Sequence, residues 1–265
     1  MFSDSGAFLR EEVLVDNVGQ FTFGANVPDI AALRDTNTLI TWVDLGNGDV
    51  ISQNYNPLND SQIGTQNIVF NGATGTDQSI RGHAVTALNN DDDYVIVFVN
   101  ENLSDDTNKF QFVSEIGLNQ GSRVTVGTFA DAYDPSVTTL SDGRFIIAYT
   151  VDSSGGTNTG VRAHIYNEDG TVSTGVLNFA TTVAGNQAET EVVALPNGES
   201  IVFWIDSETF DVHGQRLSTT GTNIGREFDV RNFSATDTSG ISATLMDDGR
   251  VQVTWQEEFA TDRVT

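Results

Sequence analysis

The sequence predicts an all-β chain, a five-bladed β-propeller of four-stranded antiparallel blades, on three observations. A strand-rich unit recurs five times at intervals of 50 to 55 residues, every unit carries the same hairpin turn followed by an aromatic residue, and the phase of the repeat runs from the last residue back onto the first. A repeat is sought before any element is assigned, because a missed period mis-assigns the whole fold.

The first strand of each unit closes on a leucine: Leu33, Leu88, Leu140, Leu195 and Leu245. A tight turn follows, 141-SDG-143, 196-PNG-198 and 246-MDDG-249 being the plainest, where Asn and Asp beside Gly supply the positive φ of hairpin turns. The second strand is β-branched and apolar, with an aromatic in a fixed place: Trp42, Phe98, Tyr149, Trp204 and Trp255. Those aromatics sit in continuous apolar runs, which predicts burial between blades rather than sugar stacking. A third strand places an apolar residue four before a turn Gly or Asn, as Val113 before Gly117 and Leu217 before Gly221. The fourth is an alternating segment such as 123-RVTV-126 or 226-REFDV-230. No helical periodicity competes over any long window.

The fifth unit has its first two strands, 241-ISATL-245 and 250-RVQVTW-255, and then stops. At the other end, 2-FSDSG-6 and 10-REEVLVDN-17 match the third and fourth strands. The blades are therefore expected near 28–79, 80–133, 134–188, 189–238, and 239–265 with 1–27, as one domain whose last blade is shared by both termini. Closure of that kind leaves few sheet edges exposed.

Composition narrows the partners. Thirty-seven acidic residues face 12 basic ones, for a net charge of −25. That balance argues against nucleic acid and anionic membranes, both of which select clustered Lys and Arg. No apolar run is long enough to span a bilayer, and 1-MFSDSGAFLREE-12 has neither the basic nor the apolar region of a cleavable signal. The lack of cysteine leaves oxygen and histidine as the only metal ligands. Calcium, a hard cation taking carboxylate oxygens, is the expected ion, with Asp44 and Asp49, and Asp206 and Asp211, flanking short loops on one rim as the candidate ligands.

Stretches such as 192-VVALPNGESIVFWIDSETFDVHGQRLSTTGTNIGREFDV-230 resemble the roughly 50-residue repeats of large exported bacterial proteins of the hemolysin-type calcium-binding (RTX-like) group. The marks are the A-L-x-x-G turn, the aromatic ending the second strand, the G-Q-R-L segment and the G-x-x-x-G-x-E-F-x-V close. The resemblance covers the whole chain and implies a module of an adhesin-like or exported protein. The calcium nonapeptide is absent, so the resemblance carries no calcium site. In blade number and size the chain is also similar to small five-bladed propeller lectins, without their sugar-binding signatures.

Candidate ligand-binding residues are the scarce cationic or titratable groups on third strands, Lys109, Arg162 and His213, and the rim aromatics Phe210 and Tyr133. A second third-strand column, Gln53, Gln111, His164 and Gln215, is expected to satisfy backbone groups between neighbouring blades. No G-x-S-x-G or H-E-x-x-H motif occurs. Five-bladed glycoside hydrolases use Asp and Glu converging on the central funnel, and Asp29, Asp134, Glu189 and Glu191 lie near first-strand starts; short loops, however, leave little room for a cleft. The expectation is thus a non-enzymatic extracellular or cell-surface module, adhesive or part of a larger exported assembly, binding a glycan or protein partner. The alternatives are a glycoside hydrolase and a pure scaffold.

Overall fold

The computed structural model describes residues 25–33, 37–44, 48–59, 61–71, 82–89, 93–100, 107–127, 132–151, 160–179, 187–231 and 237–258. Over these described residues it is all-β, with five antiparallel sheets in chain order. The first holds β1 (Ala25–Ala32), β2 (Thr38–Asp44), β3 (Asp49–Asn56) and β4 (Ser61–Phe70). The second holds β5 (His83–Ala87), β6 (Asp93–Asn100), β7 (Thr107–Ser114) and β8 (Asn119–Thr125). The third holds β9 (Ala132–Thr139), β10 (Phe145–Val151), β11 (Gly160–Tyr166) and β12 (Leu177–Asn178). The fourth holds β13 (Gln187–Ala194), β14 (Ser200–Asp206), β15 (Val212–Leu217) and β16 (Asn223–Arg231). The fifth shows β17 (Asp237–Leu245) paired with β18 (Val251–Glu258).

Each sheet is a meander, and its first strand lies beside the first strand of the next: β1 by β5, β5 by β9, β9 by β13 and β13 by β17. Residues of all five first strands line one cavity, the arrangement of a β-propeller around its axis. The expected pairing of residues 2 to 17 with the fifth sheet lies outside the described residues.

The core lies between blades. Every residue of β10, 145-FIIAYTV-151, is buried, because its sheet has a neighbour on both faces. Phe110 and Tyr166 meet edge to face at 4.9 Å and Tyr166 stacks on Phe145 at 5.4 Å, joining the second sheet to the third. Fully burying one such ring contributes about 1.5–3 kcal/mol. Trp42, Phe98, Tyr149 and Trp204 of the second-strand aromatic column are buried as expected, while Trp255 is half-buried.

Two details of the repeat differ from the sequence expectation. The hairpin position held by Leu33, Leu140 and Leu195, whose N–H bonds the carbonyl four residues on, is held in the fifth sheet by Met246, which bonds Arg250, and not by Leu245. Two adjacent apolar residues mask that one-residue shift in the sequence.

The glutamine column works within a blade rather than between blades. Gln53, Gln111 and Gln215 sit where the third and fourth strands fall out of register. Each Nε2 donates to the fourth-strand carbonyl stranded by the bulge: Ile63 at 3.1 Å, Gln120 at 2.6 Å and Ile224 at 3.3 Å. The residue after that carbonyl is Gly64, Gly121 or Gly225, with φ of 70°, 64° and 72°, a conformation that disfavours any side chain.

Candidate functional site at the propeller axis

The innermost strand of a propeller blade has no strand partner on its axial side, so its outward N–H groups need acceptors. In this chain those strands also bulge at one repeated place: between Asn26 and Asp29, Ala148 and Thr150 of the β10 partner strand, Ala188 and Glu191, and Ser239 and Ser242. The bulges turn side chains towards the axis. With β5, whose pairing to β6 is regular, these strands surround a cavity of about 570 Å³ lined by Pro28, Asp29, Gly82, His83, Asp134, Ser136, Glu189, Glu191, Gly240 and Ser242, among others.

Asp134 and Glu189 occupy the same position within their bulges, with φ of 48° and 49°. The corresponding residues of β17 and of the segment entering β5 are Gly240, with φ of 66°, and Gly82. A side chain in this left-handed region costs roughly 1 kcal/mol against glycine. The two carboxylates offset that cost by clasping the next blade. Asp134 Oδ2 accepts the Glu189 N–H at 3.1 Å, and Glu189 Oε2 accepts the N–H groups of Gly240 at 2.5 Å and Ile241 at 3.2 Å.

Two residues further along each strand runs a second tier. Asp29 Oδ2 accepts the Val85 N–H at 2.8 Å, and Ser136 Oγ accepts the Val192 N–H at 3.0 Å. Glu191 is bonded by the Ala243 N–H and, at 3.1 Å, by the Ser136 hydroxyl. In every clasp the side chain belongs to one blade and the N–H to the next.

The surroundings of Glu191 act on its proton. Burial pushes its carboxyl up to about 7; the Ser136 hydroxyl and the Ala243 N–H work against that rise, and the negative charge of Asp29 adds to it. His83, on β5 in the lining of the same cavity, is moved the other way. Burial lowers its pKa, opposed by the charge of Asp29 and the carbonyl of Thr41, so the ring is neutral near pH 7. The cavity therefore holds a carboxyl whose proton affinity is raised, within electrostatic reach of Asp29, in a concave site. That combination suits proton donation to a leaving group.

None of the five ligand-binding candidates lines this cavity. Lys109 Nζ reaches Thr125 Oγ1 at 3.4 Å on the face of the second sheet, and Arg162 bonds the carbonyl of Val161 at 3.1 Å. His213 Nδ1 lies 3.0 Å from Asp229 and 3.6 Å from Glu227, its ring stacked on Trp204 at 6.0 Å. Tyr133 is half-buried opposite Thr150, and Phe210 holds a φ of 62° in the loop before β15, its carbonyl accepting from Thr238 at 2.8 Å.

Of the expected calcium ligands, Asp44 and Asp49 face each other at the ends of β2 and β3. Asp206 and Asp211 are joined through backbone at 3.0 Å, and Asp206 Oδ1 accepts the N–H groups of Glu208 at 2.9 Å and Thr209 at 3.1 Å. Asp206 thus caps its own loop, as Asx turns do. Among the described residues no group of three or more His, Asp or Glu is arranged to hold a metal.

Asp29, Asp134, Glu189 and Glu191, read from the sequence only for the alternative function, are the acids the fold brings together. His83, Ser136 and the small residues Gly82 and Gly240 were missed. Counting back a fixed number of residues from each hairpin turn would have found Ser136, Gly82 and Gly240, which occupy the same repeat positions as the acids; His83 stands one residue after Gly82, at the position held elsewhere by Pro28, Pro135 and Thr190.

No family model matches the chain, and no curated protein does. Solved structures do. An α-L-arabinofuranosidase of Fusarium graminearum, solved with arabinobiose, superposes with a TM-score of 0.61 at 11% identity, over 92% of this chain and 78% of its own. An α-L-arabinanase of Penicillium chrysogenum, also with arabinobiose, gives 0.62 at 13%, over 87% and 74%. An α-L-arabinofuranosidase of Lactobacillus brevis gives 0.57 at 10%, over 89% and 84%. At these identities the likeness is one of fold. It overturns the expectation of a non-enzymatic module in favour of the glycoside-hydrolase alternative, and the adhesive, lectin-like and calcium-dependent readings draw no support from it. Loop length does not decide whether a concave site exists here, because the cavity lies among the first strands and not among the rim loops.

Proposed function

We propose that the chain is a glycoside hydrolase acting at the propeller axis on L-arabinofuranosyl linkages, with Glu191 as proton donor to the leaving oxygen and Asp29 as the second carboxylate. The observation that carries this is Glu191, held at about 7 by burial beside the charge of Asp29. Glycoside hydrolysis needs two such carboxyl groups with environments that push their proton affinities apart. The arabinobiose bound by two of the matched enzymes supplies the substrate class. Incubation of the purified chain with arabinobiose and with linear arabinan should release arabinose, and Glu191→Gln should reduce that release by ~10²-fold or more. Absence of release on both substrates, or equal release by the variant, rejects the assignment.

We further infer that residues 2 to 17 supply the outer two strands of the fifth sheet. Four sheets each have four strands, and the fifth sheet repeats their first two. Deleting residues 1 to 17 should then lower the melting temperature well beyond what so short a tail warrants. An unchanged melt defeats this part and leaves the catalytic assignment standing.

A further inference from the structure

The hydroxyl of Ser136 makes two contacts that together fix its proton. It lies 3.1 Å from Glu191 Oε2 and 3.0 Å from the Val192 nitrogen, and the residue is buried. A serine hydroxyl has one proton and two lone pairs, whereas a backbone N–H only donates. The Val192 N–H therefore takes a lone pair, and the hydroxyl proton goes to Glu191. Ser136 stands on β9 while Glu191 and Val192 are consecutive on β13, so one side chain grips both the carboxyl and the backbone that carries it.

We propose, resting on the reading of Glu191 as proton donor, that Ser136 is a positioning residue: the neighbouring blade's hydroxyl orients the Glu191 carboxyl and sets how readily it gives up its proton. The position is not bound to be serine by the repeat, since the equivalent residues are Asp29 on β1 and Ala84 on β5. Donation to the carboxyl favours its ionised form and so opposes burial. The ionisable groups sharing the cavity are Asp29 from β1, His83 from β5, Asp134 from β9 and Glu189 from the same strand, while β17 contributes Gly240, Ile241 and Ser242. Asp29 raises the Glu191 pKa through its charge, and the Ala243 N–H, like Ser136, lowers it. Removing Ser136 leaves the raising influences with one opponent fewer.

The test uses the full chain labelled with ¹³C at the glutamate carboxyl carbon, Glu191 being assigned by the signal missing in Glu191→Gln. In Ser136→Ala the Glu191 midpoint should move up by about one pH unit, through loss of one hydrogen bond to the charged form. Ser136→Cys, close in shape with a weak donor, should give a smaller upward move, and Ser136→Thr should restore the original midpoint. Against arabinobiose, the alkaline limb of kcat/KM should move by the same interval. A midpoint that stays or falls in folded Ser136→Ala overturns the proposal; if that variant does not fold, an unmoved midpoint in Ser136→Cys does so. If the carboxyl midpoint moves as expected but no arabinose is released, the positioning stands and the assignment of Glu191 as catalytic acid fails.

Discussion

Among the inner strands, β1, β9 and β13 present acids to the axis, whereas β5 and β17 present Gly82, Ala84, Gly240 and Ser242 at the same repeat positions. The backbone route is shared, so the difference is one of chemistry laid over a common frame. Where acids stand, they clasp the N–H groups of the following blade and bring charge to the cavity. Where small residues stand, the wall carries no carboxylate at those positions. A repeat that served only to hold the ring together would have equal reason to place an acceptor in every blade. The uneven distribution gives the funnel one set of walls that bears carboxylates and another that does not.

The largest expected effect lies at the two equivalent positions Asp29 and Ala84. Asp29→Asn should lower arabinobiose turnover by ~10²–10⁴-fold, as loss of an essential carboxylate does. Ala84→Ser should leave turnover within about twofold while offering the Val137 N–H the same clasp that Ser136 gives Val192, raising stability by about 0.5–1 kcal/mol. Equal losses of activity would erase the distinction between the walls.

The next effect concerns pH. The carboxyl of Glu191 titrates higher folded than unfolded, so it contributes most below the unfolded value of about 4.3 and its contribution is lost as pH rises through about 7. Stability should therefore decline between pH 5 and pH 8 by on the order of 3 kcal/mol from this group. Chemical denaturation across that range should show a flatter profile for Glu191→Gln. A parallel profile would mean that the half-buried carboxyl of Glu191 is already charged at pH 5.

A smaller effect separates clasp from strain at Glu189. Glu189→Ala loses the acceptor for Gly240 and Ile241 and keeps an unfavourable φ, and should cost about 1–3 kcal/mol. Glu189→Gly loses the same acceptor but relieves the φ by roughly 1 kcal/mol, and should melt above the alanine variant. The reverse order would show that the left-handed backbone at Glu189 is not strained.

The scaffold was legible because its signals are local. Asp-Gly and Asn-Gly turns, β-branched runs and one aromatic per second strand each act within a few residues, and the period exposes them five times. The one-residue slip from Met246 to Leu245 arose where two apolar neighbours both satisfy the pattern. The site was legible only in its acids. That Asp134 and Glu189 clasp the next blade depends on N–H groups more than 50 residues away in the chain, and the proton affinity of Glu191 depends on Ser136, Ala243 and Asp29 from three other strands; neither is written in any local motif. The glutamine column misled for a related reason: Gln111 reaches Gln120 of its own blade because a bulge strands that carbonyl, and bulges leave little trace in composition.

The central claim is that Glu191 donates a proton to the leaving oxygen, and leaving-group dependence tests it most directly. Arabinobiose has a poor leaving group that must be protonated, whereas a dinitrophenyl arabinofuranoside departs without help. The account predicts that Glu191→Gln loses ~10²-fold or more in kcat/KM on arabinobiose and little on the dinitrophenyl substrate. Equal losses on both substrates, or no loss on either, would contradict it.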